Sequence, residues 1–278
     1  MKLHRFHDAN LFYRKVKDYL SEEELLHNLQ LGICNNLINN PKISKIQPYL
    51  SVVEQDGNII AVAIMTAPYN LLLSRIKNFA AIDIIALDLQ QQYESLTNVN
   101  APVIESQAFA EKWCLLTKSS YKLKLPLRIF KLDKVELVSQ AKGNFRIATQ
   151  NDKELLKSWH DAFNLEALGS IESDSESWVE RVLHKGNAYL WQDEKPVSIA
   201  CSSRSTPNGI GINMVYTPPE YRKRGYAGAC VAALSQTLLD KGYKFCFLFT
   251  DLSNPTSNKI YQEIGYKAVA DWNNYAFY

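Results

Sequence analysis

The same succession of segments is written twice in this chain. Tyr49-Leu50-Ser51-Val52-Val53 leads through Asp56-Gly57-Asn58 into Ile59-Ile60-Ala61-Val62-Ala63-Ile64, and Ala188-Tyr189-Leu190-Trp191 leads through Asp193-Glu194-Lys195-Pro196 into Val197-Ser198-Ile199-Ala200-Cys201. Each reads as two β-rich runs joined by a tight polar turn, Asp-Gly being a strong hairpin signal. Tyr49 and Tyr189 stand 140 positions apart in a chain of 278 residues. The segments after the two hairpins also correspond. A strand-like run (Leu71-Leu72-Leu73-Ser74; Ile212-Asn213-Met214-Val215-Tyr216-Thr217) precedes a helical stretch. Next come a further strand (Pro102-Val103-Ile104-Glu105; Phe245 to Asp251), a second helix (residues 106–118; 255–264) and a β-rich close (Leu125 to Phe130; residues 266–278). A repeat of this length implies two similar domains, meeting near the polar stretch 134–143. The expected division is 1–138 and 139–278.

Composition narrows the classes. With 46% hydrophobic and 22% charged residues the chain has ordinary globular content. A formal charge of +2 without long like-charged blocks argues against nucleic acid as a partner. No window approaches the roughly 20 apolar residues of a membrane span, and the first residues lack the apolar core of a signal peptide. A cytoplasmic protein without a membrane partner is expected. The five cysteines, Cys34, Cys114, Cys201, Cys230 and Cys246, include no C-x-x-C, and the five histidines give no H-E-x-x-H. No bound metal and no disulfide framework are expected.

Glycine distinguishes the copies: of eleven, only Gly32 and Gly57 precede residue 140. Because glycine lets a backbone turn sharply or approach a ligand, the ligand site is expected in the second copy. There a β-rich run, Ile212 to Thr217, stops at Pro218-Pro219. The basic turn Glu220-Tyr221-Arg222-Lys223-Arg224-Gly225-Tyr226-Ala227-Gly228 then opens a helix in which Ala227, Cys230, Val231, Leu234 and Leu238 keep helical spacing. Lys241-Gly242 closes that helix. Strand, helix and the next strand, residues 244–251, form a crossover, so the two strands are expected to be parallel. The first helical N–H groups lack intrahelical acceptors, the helix dipole adds partial positive charge, and Arg222, Lys223 and Arg224 add cations. A phosphate or pyrophosphate suits such a turn. Neither G-x-x-x-x-G-K-[ST] nor G-x-G-x-x-G is present, which removes the main support for nucleotide-hydrolase and dehydrogenase readings. Read alone, the same turn is equally a solvated loop entering a helix.

The motif Arg222-x-x-Gly225-x-Ala227, followed by Asn254-x6-Tyr261-x3-Gly265-Tyr266, resembles the signature of the GNAT superfamily of acyl-CoA-dependent N-acyltransferases. The likeness is close over about the last 90 residues. The first copy resembles only the scaffold: its turn, Arg75-Ile76-Lys77-Asn78-Phe79, has no glycine, and Trp113 stands where the second copy has Tyr261. The resemblance implies an α/β fold of two tandem GNAT-like domains, the first degenerate. Each would be a mostly antiparallel twisted sheet with a central parallel βαβ unit flanked by helices. It implies acetyl-CoA as cosubstrate, with main-chain groups of Val215, Tyr216 and Thr217 along the acyl and pantetheine arm. It further implies the amides of Arg222, Lys223, Arg224, Gly225, Tyr226 and Ala227, with Gly228, on the pyrophosphate, and Asn254 hydrogen-bonded to the cofactor. Tyr261 would be general acid to the leaving thiolate, a role open to a phenol; its alternative is a core aromatic on an amphipathic helix.

The implied activity is N-acetylation of a primary amine by direct attack in a ternary complex. A small-molecule amine is the default acceptor, ahead of a protein amine, and the chain is expected as monomer or homodimer. An acyl-CoA sensor without turnover and a pure interaction module are the competing classes. Asp161, Glu166, Glu172 and Glu220 are unranked candidates for the base. Together with Asp174 and Glu176, the acids of residues 151–182 would favour a cationic amine if they lined the channel, and are otherwise a solvated helix face. A covalent route through Cys201 or Cys246 is disfavoured because both lie within β-rich runs.

Overall fold

The computed structural model describes residues 1–40, 46–66, 70–136, 141–169 and 174–278. The chain forms two compact units. Unit 1 comprises Met1–Ile129, Thr250–Asn254 and Ala268–Tyr278; unit 2 comprises Phe130–Phe249 and Pro255–Lys267. Residues 137–140, which include the boundary expected from sequence, lie outside the described residues.

Unit 1 runs β1 (Lys2–Phe6), α1 (Ala9–Glu22), α2 (Asn28–Asn39), β2 (Tyr49–Gln55), β3 (Asn58–Met65), β4 (Leu71–Leu73), α3 (Ala80–Gln90), β5 (Asn98–Pro102) and α4 (Val103–Thr117). Strand β6 (Tyr121–Leu132) comes next, its residues up to Ile129 belonging to this unit. β1, β2, β3 and β4 are successively antiparallel, and β4 pairs β5 in parallel through Leu71↔Val99 and Leu72↔Asn100. One face of this sheet buries Ile82, Ile85, Phe109 and Trp113 of α3 and α4; the other buries Phe12, Val16, Leu20 and Leu31 of α1 and α2.

Unit 2 repeats that plan. It runs β7 (Asn144–Ile147), α5 (Lys153–Leu168), α6 (Ser175–Lys185), β8 (Ala188–Asp193), β9 (Lys195–Ser205), β10 (Gly209–Tyr216), α7 (Tyr226–Asp240), β11 (Phe245–Asp251) and α8 (Pro255–Ile264). β7 to β10 are successively antiparallel, and β10 and β11 are parallel, as the crossover requires. α7 lays Cys230, Val231, Leu234 and Leu238 on Ile210, Ile212, Cys246 and Leu248, while Leu156, Trp159 and Val179 of α5 and α6 cover Cys201, Met214 and Tyr216. No helix among the described residues is long and apolar enough to cross a membrane.

Two expectations need correction. Val103-Ile104-Glu105 form the first turn of α4, not the end of a strand. β5 stops at Pro102, whose missing N–H cannot extend a ladder and whose fixed φ suits a helix entry. The final strand β12 (Lys267–Phe277) carries alternating apolar residues as anticipated, but from Ala268 it belongs to unit 1, where Trp272 pairs with Pro102 and Tyr275 with Val99.

Candidate active site

β10 and β11 pair only at Gly209↔Phe245, Ile210↔Cys246 and Gly211↔Phe247. Beyond Gly211 β10 keeps its partner β9 as far as Tyr216↔Ile199, with the register broken between Asn213 and Tyr216, where Met214 takes φ 51°. Such a bulge leaves backbone groups unpaired and re-aims the strand. Met214 and Val215 therefore fall outside the ladder with β9, and the ladder with β11 has already ended at Gly211. The carbonyl of Tyr216 accepts from the Ser198 hydroxyl at 3.2 Å, and that of Thr217 accepts from Arg222 Nε at 2.9 Å.

A single 3-10 turn, Pro219–Tyr221, leads to the basic loop. Lys223 takes φ 61° and Gly225 φ 81°. Gly225 is the N-cap of α7, and a left-handed conformation there is inexpensive only without a side chain. The first helical hydrogen bond is Ala229 N–H to the Gly225 carbonyl, at 3.0 Å. Among the described residues, the N–H groups of Lys223, Arg224, Gly225, Tyr226, Ala227 and Gly228 have no acceptor. Successive amides beside left-handed residues form an anion-binding concavity, here at the positive end of a fifteen-residue helix.

Lys223 and Arg224 are exposed. The Tyr226 ring is buried and its hydroxyl donates to Asp193 at 2.5 Å, tying the start of α7 to β8. Arg222 is turned toward β10: Nη2 donates to Glu166 at 2.6 Å, and the guanidinium lies 5.9 Å from the Tyr216 ring centroid.

Tyr261, on α8, is 8% exposed and sits in the α7-side core with Phe130, Tyr266 and Val215. Its hydroxyl has no hydrogen bond among the described residues, and burial pushes its pKa up to about 12. It stays a neutral donor across the physiological range. Asn254 lies between β11 and α8 in a segment grouped with unit 1, its N–H donating to the Asp251 carbonyl at 3.1 Å.

The acids proposed for the acceptor side are largely committed elsewhere. Glu166 holds Arg222, Asp161 accepts from the Ser175 hydroxyl, Asp174 caps α6, and Glu176 pairs with Lys153 and Lys157. Glu220 is exposed, and Glu172 lies outside the described residues. Ser175 is also 2.8 Å from His160, which stacks on Trp178 at 4.2 Å and whose pKa burial lowers. Cys201, Cys230 and Cys246 are buried and burial raises all three thiol pKa values, that of Cys246 to about 12, so none is an activated nucleophile. A cavity of about 510 Å³, bordered by Lys131, Lys134 and Gly265 among others, includes no residue of the basic loop.

The first part of the equivalent turn of unit 1 is filled from within. Ser74 N–H donates to Val62 O, Arg75 N–H to His27 Nε2 at 3.0 Å, Ile76 N–H to Glu105 Oε1 at 3.3 Å, and Lys77 N–H to Ile60 O. The Tyr19 hydroxyl donates to the Arg75 carbonyl at 2.5 Å. Every amide from Ser74 to Lys77 thus has an acceptor. Sequence reasoning noted the missing glycine but not these buried side chains, which come from α1, from residues before α2, and from α4. Trp113 is a core residue, stacked on Phe109.

Residues 193–276 match the family model described as FR47-like protein. In three dimensions the chain is similar to a Drosophila protein at 12% identity and TM-score 0.69, covering 99% of this chain and 97% of that one. It is similar also to a GCN5-related N-acetyltransferase from Sphaerobacter thermophilus at 15% identity and TM-score 0.62, covering 87% and 84%. A tandem GNAT protein from the clavulanic acid biosynthesis pathway, solved without AcCoA, is similar at 10% identity and TM-score 0.57, covering 99% and 97%. At such identities the likeness is one of fold. No curated protein matches the sequence.

Proposed function

We propose, from the GNAT fold that the chain shares with its structural neighbours, that unit 2 transfers an acyl group, acetyl in the first instance, from acyl-CoA to a primary amine. The observation that carries this reading is the run of unpaired amides from Lys223 to Gly228 at the entrance to α7. Six donors and two exposed cations suit a pyrophosphate, and Gly225, at φ 81°, sits where a side chain would be strained.

The cosubstrate supplies an activated acyl carbon and a thiolate leaving group. The chain's own residues do the rest. The loop holds the phosphates, and the bulge at Met214 and Val215 presents backbone where β10 and β11 part. In direct transfer the carbon–nitrogen bond forms as the carbon–sulfur bond breaks, the amine gives up a proton to water, and the sulfur must be stabilised as it takes negative charge. Tyr261 has the protonation state for that task. With its pKa at about 12 against about 8.5 for an ordinary thiol, the phenol serves by donating a hydrogen bond to the sulfur rather than by giving its proton up fully. Unit 1, whose turn has no glycine and whose amides from Ser74 to Lys77 are taken by His27, Glu105 and main-chain carbonyls, is assigned no acyl-CoA site.

One observation favours a second reading, an acyl-CoA sensor without turnover. Tyr261 packs in the core as any apolar aromatic would. The experiment that separates the two is acetyl-CoA-dependent thiol release over a panel of primary amines, with mass spectrometry of each product. Acylated amine supports transfer; saturable acetyl-CoA binding with no acylated product across the panel supports the sensor.

A further inference from the structure

One half-buried cation in unit 2, Arg204, has no counter-charge among the described residues. Strand β9 carries an extra residue where Ile210 pairs with Ser205 and Gly211 with Ser203; that residue is Arg204, with φ 50°. A left-handed arginine in a strand is strained and persists where the surroundings require it. Its guanidinium lies 5.6 Å from the Phe249 ring centroid. Arg204 Nε and the neighbouring Ser203 Oγ are both buried without a hydrogen-bond partner, and among the described residues Arg204 makes no ion pair. Burial lowers its pKa to about 10, which leaves it charged at neutral pH. An aromatic face offsets only part of the cost of taking even one edge of a guanidinium out of water.

The place of this cation is defined by the sheet. β10 lies between β9 and β11, so Arg204 reaches Phe249 across β10. Gly211 permits close passage there: a Cβ at that position would come within 2.8 Å of the Ser203 carbonyl oxygen and 3.1 Å of the Phe247 ring. Phe249 is two residues past the last β10–β11 pair, in the part of β11 that has left β10. Cys246 and Leu248 face α7, so Phe247 and Phe249 face the opposite side, the side on which α5 and α6 cover neighbouring strands. Exposed Asn213 comes after Gly211 on that face. The pyrophosphate loop begins α7, on the other side of the sheet.

We propose that Arg204 binds a carboxylate carried by the acceptor, so that the substrate is an amino acid or a similar small zwitterionic amine. The inference rests on the acyl-transfer reading of unit 2 and names its acceptor class. A guanidinium fork matches a carboxylate's two oxygens, and an unpaired one offers a larger gain on binding than one already satisfied. Of the carboxylates on α5 and α6, Glu176 is occupied by Lys153 and Lys157, Glu166 by Arg222 and Asp161 by Ser175.

The test compares amino acids with the same amines lacking the carboxylate: glycine with methylamine, phenylalanine with phenethylamine, lysine with cadaverine. Thiol release from acetyl-CoA is the assay. The best amino acid is expected to exceed its decarboxylated partner in kcat/KM at least about tenfold, as a charge-assisted pair allows, and Arg204→Gln to bring that ratio toward one while calorimetric acetyl-CoA affinity is kept. Arg204→Met is expected to raise the thermal midpoint of the ligand-free protein, because it removes a half-buried charge without a partner. The inference is overturned by a preference for the decarboxylated amines, by a ratio that survives in Arg204→Gln, or by loss of acetyl-CoA affinity in that variant. Failure of the wild type to bind acetyl-CoA would overturn the acyl-transfer reading itself, and the inference with it.

Discussion

Replacing Tyr261 by phenylalanine separates the catalytic part of a buried tyrosine from its packing part. The hydroxyl has no hydrogen bond among the described residues, and the ring contacts Phe130 and Tyr266. Truncation therefore strands no partner and opens no cavity, and stability should change by no more than about 0.5 kcal/mol. Turnover should respond differently. A hydrogen bond to a charged group is worth about 1.5–3 kcal/mol, and its loss at the leaving sulfur alone corresponds to about a 10- to 150-fold fall in kcat. Acetyl-CoA affinity should hardly move, because the charge that the phenol meets develops only during reaction. Thiol-release kinetics with the best acceptor, beside urea unfolding of both proteins, gives all three quantities. Unchanged kcat in a variant of unchanged stability would show the hydroxyl to be idle and would refute its role.

Two further outcomes are expected. Gly225→Asp puts a side chain at φ 81° and a negative charge among the amides; acetyl-CoA binding should vanish by calorimetry, and normal affinity would remove the loop from the site. His27 has a pKa lowered from 6.5 to about 4, chiefly by burial, so the unfolded chain binds more protons between those values. Its contribution is intact above pH 6.5 and falls away toward pH 4, by about 3 kcal/mol in total; His27→Gln should flatten that slope in urea titrations across pH, and an unaltered slope would refute the assignment.

Much of the fold was legible because periodicity and turn chemistry act locally. The hairpin at Asp56-Gly57 has both residues at positive φ, and α8 spans the helix expected after Asn254. The strand–loop–helix at β10 and α7 was legible for the same reason, since a glycine N-cap after a basic turn carries its geometry in the residues themselves. What was not legible depends on distant partners. Nothing in residues 266–278 says that their strand joins the first unit, because alternating apolar residues suit either sheet. The occupation of the unit 1 turn by His27 and Glu105 joins residues about 30 to 50 positions away in sequence. Arg204 gave no signal at all: an arginine among serines reads as surface until a bulge and a missing partner place it.

The most direct test of the central claim is calorimetric titration of the intact chain with acetyl-CoA, read for stoichiometry. Six unpaired amides in unit 2, against a glycine-free turn in unit 1 whose amides from Ser74 to Lys77 are satisfied from within, predict one site per chain. Two sites would contradict the assignment of unit 1, and no binding at millimolar acetyl-CoA would contradict the reading of the α7 loop on which the proposed function stands.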